Sequence, residues 1–246
     1  MERVAIFAAL RWECTPILRC MRRIRRSGVA HATLWRGEAA EREVWLLKTA
    51  VGERRAEAAA RAACGTARFD LLLSTGCAGA LSVDMRPGDL AIATAVIGNS
   101  FGTRFETDTG HREVARAAAQ RAALRPFVGP LLCSTHALAT AVAKRDAAMR
   151  TGAVAVEMEG TAIAAVAHDM GIPFVAVRAI LDAADTELST AAGLVDHHTG
   201  GVNIRNVIRH LAAHPGALAE MLALQRMQRA AQQSLERFFN AWLAGS

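Results

Sequence analysis

The chain has 246 residues, and its 29 Lys and Arg against 23 Asp and Glu give a formal net charge of +6. With 52% hydrophobic residues it is too apolar for a disordered chain, and no apolar run is long enough to predict a membrane-spanning helix. Five scattered cysteines predict neither a disulfide framework nor a structural zinc site. The basic charge fits nucleic acid, an anionic membrane surface or an anionic substrate, and does not choose between them.

Short apolar runs alternate with helical patterns along the first 190 residues. Buried strands are predicted at residues 4–9, 44–50, 69–74, 90–97, 127–133, 153–156 and 174–181. Helices are predicted at residues 53–64, 111–123 and 158–170, and another is expected between residues 133 and 149. Because strands that are apolar throughout are buried on both faces, and helices separate them, the pattern predicts an α/β architecture.

The remaining residues are predicted to add helices to the same domain. The glycine-containing loop 191–201 is the candidate break, so we predict a catalytic domain over residues 1–190 and a C-terminal helical extension over residues 191–246. Helices are expected near residues 203–213 and from residue 217 to about residue 243. In the second of these, Leu235, Phe238, Phe239 and Trp242 form one apolar stripe. The stripe favours a core or dimer contact over a helix lying on a membrane.

Three segments place chemistry-bearing residues at strand ends. In the first, Thr75-Gly-Cys-Ala-Gly79, the glycines let the backbone approach a ligand closely. The second, Val156-Glu-Met-Glu-Gly160, puts two carboxylates where a helix N-terminus stabilises negative charge. The third has Arg178 inside an apolar strand and Asp182 at its carboxyl end, where α/β sheets bind ligands. Taken singly, each segment also fits a structural role as a tight turn, an acidic cap or a buried ion pair.

Together, the three segments resemble the family of purine nucleoside phosphorylases and methylthioadenosine/adenosylhomocysteine nucleosidases. Its pattern has a T-G-S-A-G-G turn, a V-E-M-E-x-x-A-I-A segment and an R-A-I-S-D-x-A-D segment after an I-P-F strand. This chain reads TGCAGA from Thr75, VEMEGTAIA from Val156 and RAILDAAD from Arg178, and AALRWE at residues 8–13 resembles the family's G-A-M-x-x-E opening. The resemblance covers about residues 3–190. It implies a three-layer α/β fold with a central mixed, partly barrel-like sheet flanked by helices.

The longer C-terminal part narrows the resemblance. The chain continues through His214-Pro-Gly into a long helix rich in Gln, Arg and Ala, a layout similar to that of the hopanoid-biosynthesis-associated nucleoside phosphorylases. Those proteins are understood to remove adenine from adenosylhopane, which implies that substrate here. The alternatives are a methylthioadenosine/adenosylhomocysteine nucleosidase and a non-catalytic nucleoside- or RNA-binding module. The chain lacks the stacking aromatics interleaved with Lys and Arg that an RNA binder needs, so an enzyme is favoured.

The resemblance implies a role for each residue of the site. Asp182 is the general acid that protonates adenine N7 as the C1′–N9 bond breaks, with its pKa raised by burial. Glu159 accepts hydrogen bonds from the ribose hydroxyls, Met158 packs against the ribose, and Arg178 orients the Asp182 loop. The other residues expected to bind the base and sugar are Glu157, Gly76, Cys77, Ala78 and His136, the last where nucleosidases place a purine-stacking Phe.

Water and phosphate both stay open as the acceptor. Glu13 falls where the nucleosidases keep the base that activates water, which favours hydrolysis. Arg11, together with Arg54 and Arg55, offers guanidinium groups suited to phosphate, although the latter two are also typical of a solvated helix start. No cofactor or metal is expected, and phosphate is the alternative co-substrate. Cys77 and Leu181 stand where the family has Ser, which fits a larger and more apolar pocket; Cys77 has no recognisable His partner as a nucleophile.

A first helix is also expected after the opening strand, and a basic run lies at its end. The run consists of Arg19, Arg22, Arg23, Arg25 and Arg26. It is either a solvated helix face or a contact with an anionic membrane that carries a lipid-linked substrate.

The opening apolar run is too short for a signal peptide, so we expect a cytoplasmic enzyme, with peripheral contact to the inner membrane face as an option. The expected partners are a small-molecule nucleoside and further copies of the chain, and no nucleic acid. His197-His198 lacks metal-ligand spacing and is expected to be loop.

Overall fold

The computed structural model describes residues 1–98, 102–187 and 217–245. In these ranges, ten strands form one mixed sheet flanked by helices. The strands are β1 (Glu2–Ala8), β2 (Arg22–Val29), β3 (Ala32–Ala39), β4 (Arg42–Lys48), β5 (Leu71–Ala80), β6 (Leu90–Gly98), β7 (Arg104–Glu106), β8 (Pro126–Cys133), β9 (Ala155–Glu157) and β10 (Phe174–Asp182). The described helices are α1 (Arg11–Cys20), α2 (Glu53–Thr66), α3 (Thr109–Arg121), α4 (Ala141–Thr151), α5 (Gly160–Met170) and α6 (Ala217–Leu243).

The sheet is closed at one end and open at the other. Its strand order is β10-β6-β8-β9-β5-β1-β4-β3-β2, and β10 also pairs with β5. The five strands from β10 to β5 therefore form a ring, while β1, β4, β3 and β2 extend from it as an open sheet. This is the mixed, partly barrel-like sheet that was predicted. Because β1, β5 and β10 run parallel to one another, their carboxyl ends meet at one edge of the sheet.

Apolar strands are buried on both faces of the sheet, as their uniform sequence predicts. Leu72 of β5 packs in one cluster with residues of α2 and α5, whereas Leu71 and Leu73 pack in a second cluster with residues of α1, α3 and α6. All three leucines are fully buried. Successive residues of the strand thus contact opposite helical layers. The strand is thus packed on both faces where it leads to the site.

The apolar stripe on α6 is a core contact. Leu235, Phe238 and Phe239 are fully buried, and the helix packs against α1, α3 and β10. The Phe238 and Trp242 rings stack with centroids 6.3 Å apart.

The division of the chain at residue 190 stays a prediction, since the predicted loop 191–201, the helix 203–213 and His197-His198 lie outside the described residues. No helix in the described ranges is long and apolar enough to cross a membrane.

Most of the basic run lies on a strand and not at a helix end, contrary to the prediction. Only Arg19 belongs to the last turn of the first helix, which stops at Cys20, and the other four arginines lie on β2, an edge strand whose residues 22–28 are all exposed. Its hairpin with β3 turns at Ala30 and His31, with φ angles of 43° and 65°. Two-residue hairpin turns usually have Asn-Gly or Asp-Gly there, so the sequence carries no ordinary signal for this one. Arginines on an edge strand also discourage pairing with another sheet.

Candidate active site

Parallel strands bring the predicted residues to one cavity. It lies beyond the carboxyl ends of β1, β5 and β10, against the start of α5, and has a volume of about 330 Å³. Its lining includes these predicted residues: Glu13, Cys77, Ala78, His136, Glu157, Met158, Glu159 and Asp182. Leu224 and Gln228 of α6 also line it, so the C-terminal helix forms part of the wall. Gly76 and Arg178 are buried directly behind the lining.

Glu13 is held by backbone N–H groups. Its carboxylate accepts hydrogen bonds from Ala9 N at 3.1 Å and Leu10 N at 2.8 Å through Oε2, and from Cys77 N at 2.9 Å through Oε1. Burial raises the pKa of Glu13, and the hydrogen bonds from Leu10 and Cys77 oppose that rise. Buried beside neutral donors, this carboxyl has the environment of a general base.

Gly76 makes room for that carboxylate. The predicted turn at residues 75–79 is a continuation of β5, which runs on to Ala80 instead of ending at Ser74. Within this strand Gly76 has a φ of 141°, and a Cβ atom there would lie 2.7 Å from Oε1 of Glu13. Glycine is therefore required at this position both for its backbone conformation and for the close approach of Glu13.

Glu157 and Arg178 form a buried ion pair behind the cavity. Arg178 Nη2 donates to Glu157 Oε2 at 2.5 Å and to Ser74 Oγ at 2.7 Å. The carboxylate of Glu157 also accepts the backbone N–H groups of Glu159 and Gly160 at the start of α5. Arg178 thus contacts the junction of β9 and α5 through Glu157, and its predicted role in orienting the Asp182 loop stays a prediction. These contacts fix Glu157 beside Glu159, while its contact with substrate stays a prediction.

Glu159 extends into the cavity from the N-cap position of α5. Its Oε1 accepts the backbone N–H of Gly52 at 2.8 Å, which connects the starts of α5 and α2. Burial, followed by the negative charge of Glu157, raises the pKa of Glu159 to about 8. A carboxyl with this pKa gains from donors that approach it, such as a pair of sugar hydroxyls. Met158, the preceding residue, lines the same wall.

Asp182 has a cationic partner that the sequence did not reveal. The carboxyl lies at the end of β10 beside Gly79 and is 3% exposed. Lys144 of α4 donates to Asp182 Oδ2 at 2.5 Å. Burial raises the pKa of Asp182, and the hydrogen bond and charge of Lys144 oppose the rise. Lys144 is one of only two lysines in the chain, and nothing in the local pattern of α4 marked it as buried.

The predicted phosphate ligands are not part of this cavity. Arg11 is exposed at the start of α1 and lines neither this cavity nor the one beside it. Arg54 and Arg55 line the adjoining outer cavity of about 860 Å³, which shares His136 with the inner one.

Burial and the nearby Glu13 charge raise the pKa of the Cys77 thiol, which disfavours a nucleophilic thiolate. Among the residues the structure describes, no group of three His, Cys, Asp or Glu could hold a metal ion.

Comparison with known proteins identifies the family. A family model described as Phosphorylase superfamily matches residues 3–213, so the chain belongs to the Phosphorylase superfamily. The 5'-methylthioadenosine/S-adenosylhomocysteine nucleosidase of Staphylococcus aureus is 27% identical over 201 residues, which cover 75% of this chain and 88% of that one. The corresponding Neisseria meningitidis nucleosidase, in complex with methylthio-immucillin-A, aligns over 100% of both chains with a TM-score of 0.80 and 19% identity. The futalosine hydrolase of Helicobacter pylori aligns over 98% of this chain and 97% of its own, with a TM-score of 0.76 and 18% identity.

These relatives confirm the coarser predictions. The fold is the predicted one, and the chain is an enzyme of a superfamily whose members cleave the N-glycosidic bond of nucleosides. Superfamily membership alone does not select the nucleoside or the acceptor, and the role of each residue in the cavity stays a prediction.

Proposed function

We propose that the protein hydrolyses the N-glycosidic bond of an adenine nucleoside and releases adenine, with water as the acceptor. The observation that carries this proposal is the position of Glu13. Its carboxylate lies in the cavity and accepts the backbone N–H groups of Ala9, Leu10 and Cys77. These are the donors that an anion entering between β1 and β5 would otherwise use.

A phosphate ion would be poorly bound in the same place. The carboxylate of Glu13 occupies the donors and repels a second anion. The predicted guanidinium groups do not compensate, because Arg11 is exposed and Arg54 lies in the outer cavity. Water, by contrast, needs a base to take its proton, and a buried carboxylate suits that task.

The remaining residues fit the chemistry of bond cleavage. As the C1′–N9 bond breaks, its electron pair goes to the purine, and Asp182 gives a proton to N7 so that adenine leaves neutral. Water adds to C1′ of the sugar and gives a proton to Glu13. Glu159 accepts hydrogen bonds from the ribose hydroxyls, and these donors, together with the positive charge that develops on the sugar, favour the ionised form of its carboxyl.

Two substrates are consistent with the cavity. The relatives named above support a small 5′-thioadenosine, and the structure adds an apolar wall formed by Leu138, Leu181 and Leu224. That wall favours the larger, apolar adenosylhopane as the second candidate, in keeping with the C-terminal resemblance. Membrane contact through the exposed arginines of β2 is a prediction that accompanies the lipid-linked substrate, and assembly into a homo-oligomer also stays a prediction.

One assay tests substrate and acceptor together. The protein is incubated with methylthioadenosine and with adenosylhopane, each with and without inorganic phosphate, and adenine and the sugar product are separated by chromatography. We expect adenine at the same rate with and without phosphate, and free sugar in place of the sugar 1-phosphate. Asp182→Asn serves as the inactive control. Adenine release that requires phosphate would overturn hydrolysis, and the absence of adenine from both nucleosides would overturn the proposed function.

A further inference from the structure

Lys144 is a buried cation beside Asp182, and neither proton transfer of the proposed reaction involves it directly. Its side chain is 1% exposed. Nζ donates to Asp182 Oδ2 at 2.5 Å, to Ala183 O at 2.8 Å and to Thr186 O at 2.8 Å. All three N–H groups of the ammonium are therefore used. Lys144 contacts the carboxyl and also holds the backbone that follows β10.

The choice of lysine suits this arrangement. The chain has 29 Lys and Arg, of which only two are Lys, so arginine is its ordinary basic residue. Arginine presents a planar fork that fits two oxygens side by side, whereas an ammonium is a point charge with three rotatable donors. At Lys144 a carboxylate and two carbonyl oxygens converge on a single nitrogen atom, which is the geometry of an ammonium site.

We infer that Lys144 is the positioning residue of the acid: it fixes the Asp182 carboxyl at the end of β10 and stabilises the carboxylate formed when Asp182 protonates adenine. This inference rests on the proposed function. In the step concerned, the proton passes from Asp182 to N7 as the C1′–N9 bond breaks, and the new carboxylate remains opposite the ammonium, which keeps its own protons. The negative charge is thus created where a positive charge already lies.

The charges around Asp182 explain why such a partner is needed. Burial raises the pKa of this carboxyl, and without a cation the group would give up its proton reluctantly. From β5 the carboxyl faces Gly79, which has no side chain, and from α6 the cavity receives the uncharged Gln228. The other titratable residues that line the cavity are Glu13, Cys77, His136, Glu157 and Glu159, with Arg178 paired to Glu157 and Asp185 three residues after Asp182. Arg178 is engaged with Glu157, and Lys144 is the cation in direct contact with Asp182.

The test compares Lys144→Met with Arg145→Met, the same substitution at the next, exposed residue of α4. Activity requires protonated Asp182, so it falls as the pH rises through the pKa of that group. Loss of the ammonium raises this pKa, and we expect the alkaline limb of the kcat/KM profile to move upward by about 1–3 pH units. Loss of the fixed geometry lowers the maximal rate by roughly 10–100-fold. Arg145→Met retains the wild-type profile.

A second measurement does not depend on activity. The protein is labelled with ¹³C at the aspartate carboxyls, the Asp182 signal is identified by its absence in Asp182→Asn, and its pH titration is followed by NMR. We expect a higher midpoint in Lys144→Met than in the wild type. Lys144→Arg keeps the positive charge, so its midpoint should stay near that of the wild type while its rate falls.

The outcomes separate the two proposals. An unchanged Asp182 midpoint and an unchanged alkaline limb would overturn the role of Lys144, even if the rate fell. A wild-type protein that releases no adenine would overturn the proposed function, and the NMR titration would still decide whether Lys144 controls the Asp182 proton. Circular dichroism of each variant establishes that it is folded. If Lys144→Met does not fold, the titration and the rate of Lys144→Arg take its place. A wild-type rate in Lys144→Arg would overturn the claim that Lys144 fixes the position of the Asp182 carboxyl.

Discussion

The two carboxyls predicted to move protons lie in one cavity but are held in different ways. Glu13, on the side of β1 and β5, is surrounded by three backbone N–H groups. Asp182, on the side of β10 and α4, is bound by the ammonium of Lys144. One site uses neutral dipoles and the other a full charge, although burial raises the pKa of both groups.

This difference matches the direction in which each proton moves in the proposed reaction. The base must end protonated, and a cation in direct contact would make it a weaker base. Backbone donors hold Glu13 in place with less effect on its charge. The acid must end as a carboxylate, and there a full positive charge stabilises the product of the transfer. The pair thus illustrates how partners of different charge give two buried carboxyls opposite tasks.

The largest expected effect comes from removing the base. Glu13→Gln keeps the volume of the side chain and removes its ability to take a proton, so adenine release should fall by about 10²–10⁴-fold. The residual activity should lose the acid limb of the pH profile, because Glu13 no longer has to lose a proton as the pH rises. The measurement is kcat/KM between acid and alkaline pH, with Glu41→Gln at an exposed position as the control. A variant that keeps both the rate and the acid limb would remove Glu13 from the mechanism.

The sequence predicted that Glu13 and Asp182 share one site, but it did not reveal the cation that contacts Asp182. Glu13, Glu159 and Asp182 lie in motifs whose order and spacing point to one site, and the apolar strands predict the sheet that unites them. Lys144 is 38 residues from Asp182 and lies on α4, where the buried residues are only Lys144 and Ala147. A helix with so narrow a buried face has no apolar periodicity that would reveal which side is buried. The β2–β3 hairpin escaped prediction for a similar local reason, the ordinary residues in its turn.

A smaller effect is expected where the backbone makes room for the base. Gly76→Ala strains a residue with a φ of 141° and brings Cβ to 2.7 Å from Glu13 Oε1. Gly171→Ala is the matched control, since Gly171 also has a positive φ, of 64°, but has open space around it. Both variants should lose about 1–3 kcal/mol of unfolding free energy in urea titrations, because alanine rarely adopts such conformations. Only Gly76→Ala should also lower kcat, because it displaces the carboxylate of Glu13. Equal rates in the two variants would mean that this close approach has no part in catalysis.

The smallest effect concerns Glu159, which lines the same cavity as Glu13 and Asp182. Its pKa is raised from 4.5 to about 8 in the folded protein. Between these values the unfolded chain releases the proton and the folded chain retains it, so stability should decrease as the pH rises from 4.5 to 8. Glu159→Gln cannot ionise, and its urea midpoint should change less over this range than that of the wild type, while Glu41→Gln follows the wild type. The effect is moderate because Glu159 is half-buried and water still reaches the site. If Glu159→Gln loses stability with pH as steeply as the wild type, Glu159 ionises as readily in the folded chain as in the unfolded one. The pH dependence of the cavity would then come from Glu13 and Asp182 alone.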